Sequence, residues 1–116
     1  MGGRPTPKIL GSLGEAFALA FLQGQGLTLI GRNWRDKTGE IDLIMQDQNQ
    51  LVFVEVKTRW FGSLVSALEL VTPLKLDKLK HLSLAWLNQN GWRKYRIDAI
   101  GVVCNPRVQC QWVKEL

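Results

Sequence analysis

Histidine and cysteine are scarce in this 116-residue chain, with one His and two Cys. That excludes a zinc site of the usual Cys/His type and any Ser–His–Asp or Cys–His catalytic set, because His81 has no plausible partner. Cys104 and Cys110 are expected to be buried thiols rather than a disulfide. No run comes near the roughly 18 apolar residues that a membrane-spanning helix needs. The segment Met1-Gly2-Gly3-Arg4-Pro5-Thr6-Pro7-Lys8 has no apolar core of the kind a signal peptide carries. A cytoplasmic location without membrane association is therefore expected. Acid is also in the minority. The formal charge is +5, which suits a polyanionic partner without requiring one. No internal repeat or low-complexity tract is present.

What remains has the apolar content of an ordinary globular domain, 46%. Residues 1–10 read as a flexible basic arm and 11–116 as one domain. A helix is expected from Leu13 to Gln25. Ser12 would be its N-cap, with Glu15 at the capping-box spacing. Leu13, Ala16, Phe17, Ala20 and Phe21 would form its apolar face, and Gly26 would end it. Leu27–Asn33 reads as a strand and Asp36–Gly39 as a turn. Glu40–Met45 and Leu51–Lys57 form a hairpin. Thr58–Leu70 is ambiguous, with Phe61-Gly62-Ser63 loop-like. Thr72 and Pro73 suit the cap and first position of a second helix running to Gly91. Its inner face would carry Leu76, Leu79, Ser83 and Trp86, with Leu82 and Leu87 beside it. Arg96–Cys104 and Val108–Val113 read as two closing strands.

The hairpin carries acid where a core strand should carry none. If Gln48-Asn49 is the turn, Asp42 lies opposite Glu55, and Glu40 opposite Lys57. All four then share one face, because side chains alternate along a strand. Two carboxylates on directly opposed positions repel unless a proton or cation lies between them. Mg²⁺ (or Mn²⁺) is suited to such a place. Asp42 and Glu55 would supply carboxylate oxygens, the Val56 carbonyl a further one, and Lys57 would handle a water or a developing charge. The same pattern also fits a plain solvated face with an exposed Glu40–Lys57 ion pair.

Basic residues group as Arg32, Arg35 and Lys37, as Lys57 and Arg59, as Lys75, Lys78 and Lys80, and as Arg93, Lys94 and Arg96. Phosphate contacts from Arg32, Arg35, Arg59, Lys75 and Lys78 would make nucleic-acid binding salt-dependent. Trp34 and Trp60 stand beside arginines, placed either to stack on unpaired bases or to pack the core.

The motifs Gly14-Glu15, Gly31-Arg32-Asn33-Trp34-Arg35, Gly39-Glu40-Ile41-Asp42-Leu43-Ile44 and Phe53-Val54-Glu55-Val56-Lys57-Thr58-Arg59 resemble the bacterial YraN family of uncharacterised proteins. The similarity continues through Val71-Thr72-Pro73, Lys75 and Arg96-Ile97-Asp98. That family resembles the PD-(D/E)XK nuclease superfamily, which includes Holliday-junction resolvases and restriction endonucleases. The resemblance implies an α/β fold with a restriction-endonuclease-like core of helix, three strands, helix and strand, and a mixed central sheet flanked by helices. It implies a Mg²⁺-dependent endonuclease acting on DNA, including branched DNA. The metal-binding Asp falls on Asp42, the Glu-x-Lys on Glu55 and Lys57, and the resolvase-like helix acid on Glu15. It implies pairing into homodimers by analogy. A non-catalytic nucleic-acid-binding module of the same fold is the alternative.

Overall fold

Thr6 and Pro7 start the first helix. The Thr6 hydroxyl accepts a hydrogen bond from the Ile9 N–H at 3.3 Å, and Pro7 occupies the first helical position, where no donor is lost. The computed structural model describes residues 3–69 and 71–116, and helix α1 spans Pro7–Gly24. It begins six residues before the expected Leu13. Residues 7–10 of the expected arm are thus its first turn, and Met1 and Gly2 lie outside the described residues. Ser12 is inside the helix, so the expected Ser12–Glu15 capping box does not form. The buried stripe is Leu10, Gly14, Ala18 and Leu22, at a strict spacing of four. Phe17 and Phe21 are only half-buried, while Leu13, Ala16 and Ala20 are exposed. The buried stripe lies one position on from the expected face, of which Phe17 and Phe21 still pack against the edge of the core. Gly26 has φ +97° and turns the chain out of the helix, as its position predicts.

Five strands follow in mixed order: β1 Thr28–Asp36, β2 Gly39–Asp47, β3 Gln50–Arg59, β4 Tyr95–Val103 and β5 Gln109–Val113. They lie side by side in chain order, all pairs antiparallel except β3 with β4, which is parallel. A parallel pair needs a crossover. Two helices provide it, α2 Leu64–Leu68 and α3 Pro73–Asn90. The short α2 lies in the segment that the sequence leaves ambiguous. It is started by Ser63, whose hydroxyl accepts from the Ser66 N–H, and Leu68 packs directly over Gly101 of β4. The chain is thus a mixed α/β protein with the expected core order of helix, three strands, helix and strand, to which α2 and β5 are added.

The sheet has a helix on each side. Ala18 and Leu22 of α1 pack on Leu43, Met45, Val52, Val54, Val56, Ile100 and Val102. Leu79, Leu82, Trp86 and Leu87 of α3 pack on Ile44, Leu51, Phe53 and Ile97 from the other side. Both faces of β3 are covered, which explains its nearly unbroken apolar run. The α3 boundaries match the sequence reading. Thr72 Oγ1 accepts from the Lys75 N–H at 3.2 Å, and Gly91 ends the helix with φ +103°. Thr72→Ala should lower stability by about 1 kcal/mol, measured as a shift in the urea midpoint, and should loosen the turn that carries Lys75. No helix among the described residues is long and apolar enough to cross a membrane.

Candidate active site

The β2–β3 hairpin has the register that places Leu43 opposite Val54 and Ile44 opposite Phe53, and it closes at Asp47 and Gln50. The ladder ends at Leu43 and Val54. Beyond that point the two strands part, and the Val56 N–H is taken by the side chain of Asp42 at 2.7 Å. The parting has a visible origin in β2. Leu43 and Met45 face α1, Ile44 faces α3, and Ile41, which strict alternation would turn toward α1, joins the α3 layer instead. The two-residue period slips at Asp42. Asn33 lies across from Asp42 on β1, between the pairs Arg32–Leu43 and Trp34–Ile41, and has φ +52°, a left-handed backbone that Asn tolerates.

The fork opens into a cleft of about 260 Å³, lined by Gly39, Glu40, Asp42, Glu55, Val56 and Lys57 of the strands and by Lys75, Lys78, Leu79 and Leu82 of α3. Asp42 is buried, with 7% of its surface exposed, and Glu55 is half-buried beside it. Burial, then a hydrogen bond to Asp42 and its negative charge, pushes the Glu55 carboxyl up to about 8, against the pull of Lys57 and Lys75. The two carboxyl groups therefore lie close enough to interact, and without a cation the raised value keeps the Glu55 carboxyl protonated at neutral pH. The Lys75 ammonium lies against that of Lys57, which holds its pKa below the ordinary lysine value, more than Glu55 raises it.

These donors suit a hard divalent cation. Asp42 and Glu55 offer carboxylate oxygens. In an extended strand a residue's C=O points to the same edge as its N–H, so the Val56 carbonyl looks into the fork beside Asp42. One or two carboxylates, with water and substrate phosphate, are a usual Mg²⁺ set. Among the described residues no group of three His, Cys, Asp or Glu side chains is assembled as a metal cluster.

Glu15 stands next to the cleft without lining it. Gly14 carries α1 so close to β3 that a Cβ there would lie 1.8 Å from Thr58 Oγ1. That approach brings the next residue, Glu15, near Asn33. Burial first, then the charges of Asp42 and Glu40, raise its pKa, while Arg32 and Asn33 lower it. Of the basic residues singled out from the sequence, Lys75 and Lys78 line the cleft and Arg32 lies by Glu15. Arg35 is tied to Glu40 at 3.0 Å across β1 and β2, and Arg59 is exposed at the end of β3. The ion pair of Glu40 is thus with Arg35, the directly opposed residue, and not with Lys57. Trp34 and Trp60 are half-buried, and Trp34 packs on the α3-side core. Cys104 and Cys110 are free and only half-buried at the edge of the α1-side core. Sequence reasoning did not find the left-handed Asn33 beside Glu15 or Gly14 as a contact glycine. Both stand in the motifs quoted above, but nothing in the residue types announces a left-handed Asn or a helix glycine pressed on a strand.

The model of a family described as "Uncharacterised protein family UPF0102" matches residues 14–102, from the contact glycine to the last but one residue of β4. The chain belongs to this family. It is the YraN family anticipated from the motifs. A UPF0102 protein of Mycolicibacterium vanbaalenii is 40% identical over 88% of this chain and 86% of its own length. A UPF0102 protein of Nocardioides is 43% identical over 84% and 80%, and one of Aliivibrio salmonicida is 38% identical over 98% and 95%. The UPF0102 match thus takes in every residue lining the cleft and Glu15 as well.

The raised Glu55 carboxyl sets a pH dependence. Its ordinary value is 4.5 and its folded value about 8, so the metal-free folded protein keeps a proton that the unfolded chain has released. Folded-state stability is then highest near or below pH 4.5 as far as this group is concerned, and declines as pH rises toward 8. A divalent cation must displace that proton, so its affinity should rise by about tenfold per pH unit through the same window. Mn²⁺ titrations by calorimetry in buffers of different ionisation heat will read the released proton. Glu55→Gln should flatten both the stability slope and the affinity slope.

Proposed function

We propose that this protein is a Mg²⁺- or Mn²⁺-dependent endonuclease that hydrolyses phosphodiester bonds in DNA, branched DNA included. The observation that carries this reading is that Asp42 and Glu55 line one cleft whose other wall carries Lys75 and Lys78. A structural acidic face has no reason to keep a buried and a half-buried carboxyl together at a strand fork, where their repulsion costs stability.

Asp42, Glu55 and the Val56 carbonyl would hold the cation, which supplies a Lewis acid and lowers the pKa of the attacking water. Lys57 stands two residues beyond Glu55 on the same face, where its ammonium would orient the attacking water and stabilise the charge developing on the phosphate oxygens. Lys75, pressed against Lys57, is relieved of like-charge repulsion when a phosphate oxygen enters between the two. Lys78 extends the basic wall along α3. Glu15 stands at the rim within the field of Asp42 and would assist by orienting a bridging water. Arg32 and Arg59 flank the opening as phosphate contacts, while Arg35 must leave Glu40 to serve as one.

The direct test is incubation with branched and linear DNA and Mg²⁺ or Mn²⁺. Cutting that needs the cation and disappears with Asp42→Asn is the expected result. Cutting that ignores both substitution and chelator would defeat the reading. The absence of a third clustered acidic ligand among the described residues favours one rival, a nucleic-acid-binding module without catalysis. That rival binds DNA in a salt-dependent way, indifferent to chelator.

A further inference from the structure

Two aromatic rings are exposed among the described residues, Phe61 and Trp92. They lie at opposite ends of the sheet. Trp92 precedes β4, whose start pairs with the start of β3, and its Nε1–H is bonded to Asn88 Oδ1 at 3.1 Å. Phe61 follows β3, at the end where Lys57 enters the cleft. Its ring is 62% exposed and belongs to neither core cluster. The Arg4 guanidinium lies over it, 5.8 Å from the ring centroid. The start of α1 runs beside the end of β3, since Gly14 touches Thr58 and Arg4 touches Phe61. The charged residues of the segment 57–63 are Lys57 and Arg59, both basic, and the backbone at Gly62 stands next to the Arg59 side chain.

A large ring left in water gains nothing for folding. An aromatic face with an arginine stacked on it, near Arg59 and just past the strand that carries Lys57 into the cleft, has the composition of a single-strand stacking site. Phe61 lies four residues beyond Lys57, two of them past the end of β3, a span of roughly 13 Å at full extension. A single strand covers that in roughly two to four nucleotides.

We propose that Phe61, with Arg4 above it, is a stacking platform for an unpaired base, and that the strand so held leads to the cleft. The substrate class is DNA with a single-stranded segment beside the cut, such as a flap, gap or splayed junction arm. This rests on the nuclease reading for the strand's destination, but not for the binding itself.

The experiment is fluorescence anisotropy of labelled oligothymidine and of a blunt duplex, in chelator, with wild type, Phe61→Ala, Phe61→Trp and Arg4→Gln. Phe61→Ala should weaken oligothymidine binding about tenfold and leave duplex binding within about twofold, with an unchanged thermal midpoint, since the ring is outside the core. Phe61→Trp should restore or tighten binding, and Arg4→Gln should weaken it less than Phe61→Ala. Oligouridine should bind no better than oligothymidine; tighter oligouridine binding overturns the DNA assignment. Equal binding by wild type and Phe61→Ala, or equal losses on both DNAs, overturns the platform. So does a change of oligomeric state in Phe61→Ala by sedimentation, which would show that the ring faces a second copy of the chain. A protein that cuts nothing yet binds oligothymidine through Phe61 removes the nuclease reading and keeps the platform. A protein that cuts blunt duplex and flapped DNA equally, with no role for Phe61, does the reverse.

Discussion

Lys57→Ala and Asp42→Asn will each lower cation-dependent DNA cleavage by about 10²–10⁴, and by separable routes. Lys57 contributes no ligand, so its loss should leave Mn²⁺ binding intact while the rate falls. Asp42→Asn replaces one of two carboxylates with a weaker oxygen donor, so the Mn²⁺ affinity should fall together with the rate. The asparagine Oδ1 can still accept from the Val56 N–H that Asp42 holds at 2.7 Å, so the fork keeps its shape. Removing the Asp42 charge also removes one of the causes that push the Glu55 carboxyl up. The metal-free Asp42→Asn protein should therefore be as stable as wild type at pH 8, or more so. A thermal melt with and without Mn²⁺ reads both effects, because a ligand of the folded state alone must raise the midpoint. A site residue that lowers activity and raises stability when replaced behaves as a functional group and not as a structural one.

Much of this arrangement was legible in the residues. The hairpin register follows from the position of Gln48-Asn49 and the alternation of apolar positions, and it holds from Asp47 to Leu43. The α3 helix is announced by Thr72-Pro73 and Gly91. The same Thr-Pro signal at Thr6-Pro7 starts α1, but two glycines follow it at Gly11 and Gly14, and glycine disfavours a helix interior. Packing reverses that preference at Gly14, where the absence of a Cβ lets Thr58 approach. Local propensity does not contain that contact. The pairing register puts Asp42 opposite Glu55 as if the ladder continued. In fact the strands part there, and the convergence of the two carboxyls comes from the fork, with Asp42 reaching across to the Val56 N–H. The ion pair of Glu40 was assigned to the wrong strand for a related reason. The ladder of β1 with β2 reaches Arg35 and Glu40, while that of β2 with β3 stops short of Glu40 and Lys57.

The sheet holds a second buried aspartate, and its replacement should cost more stability than any other single change considered. Asp98 on β4 is wholly buried. Its carboxylate accepts from Arg96 Nε at 3.0 and 3.2 Å, from Trp112 Nε1 at 2.8 Å and from the Glu115 N–H at 3.0 Å. Three donors, one of them the Arg96 cation, satisfy it, and they tie β5 and Glu115 to β4. Arg96 has a 10% exposed side chain and two weaker partners, Gln50 Oε1 at 3.2 Å and, as an ion-pair contact, Asp47 Oδ2 at 3.0 Å. Asp98→Ala strips the guanidinium of its best-buried counter-charge and orphans the indole N–H. Breaking a buried pair from one side costs about 3–5 kcal/mol. In a chain of this length that is roughly a 10–20 °C fall in thermal midpoint. The contrast with Asp42 is chemical. Asp98 is saturated with donors and has no capacity left for a ligand. Asp42 holds one backbone N–H and faces a second carboxyl. If Asp42→Ala proved as damaging to stability as Asp98→Ala, the fork would be a structural device, and the case for a cation between Asp42 and Glu55 would fail.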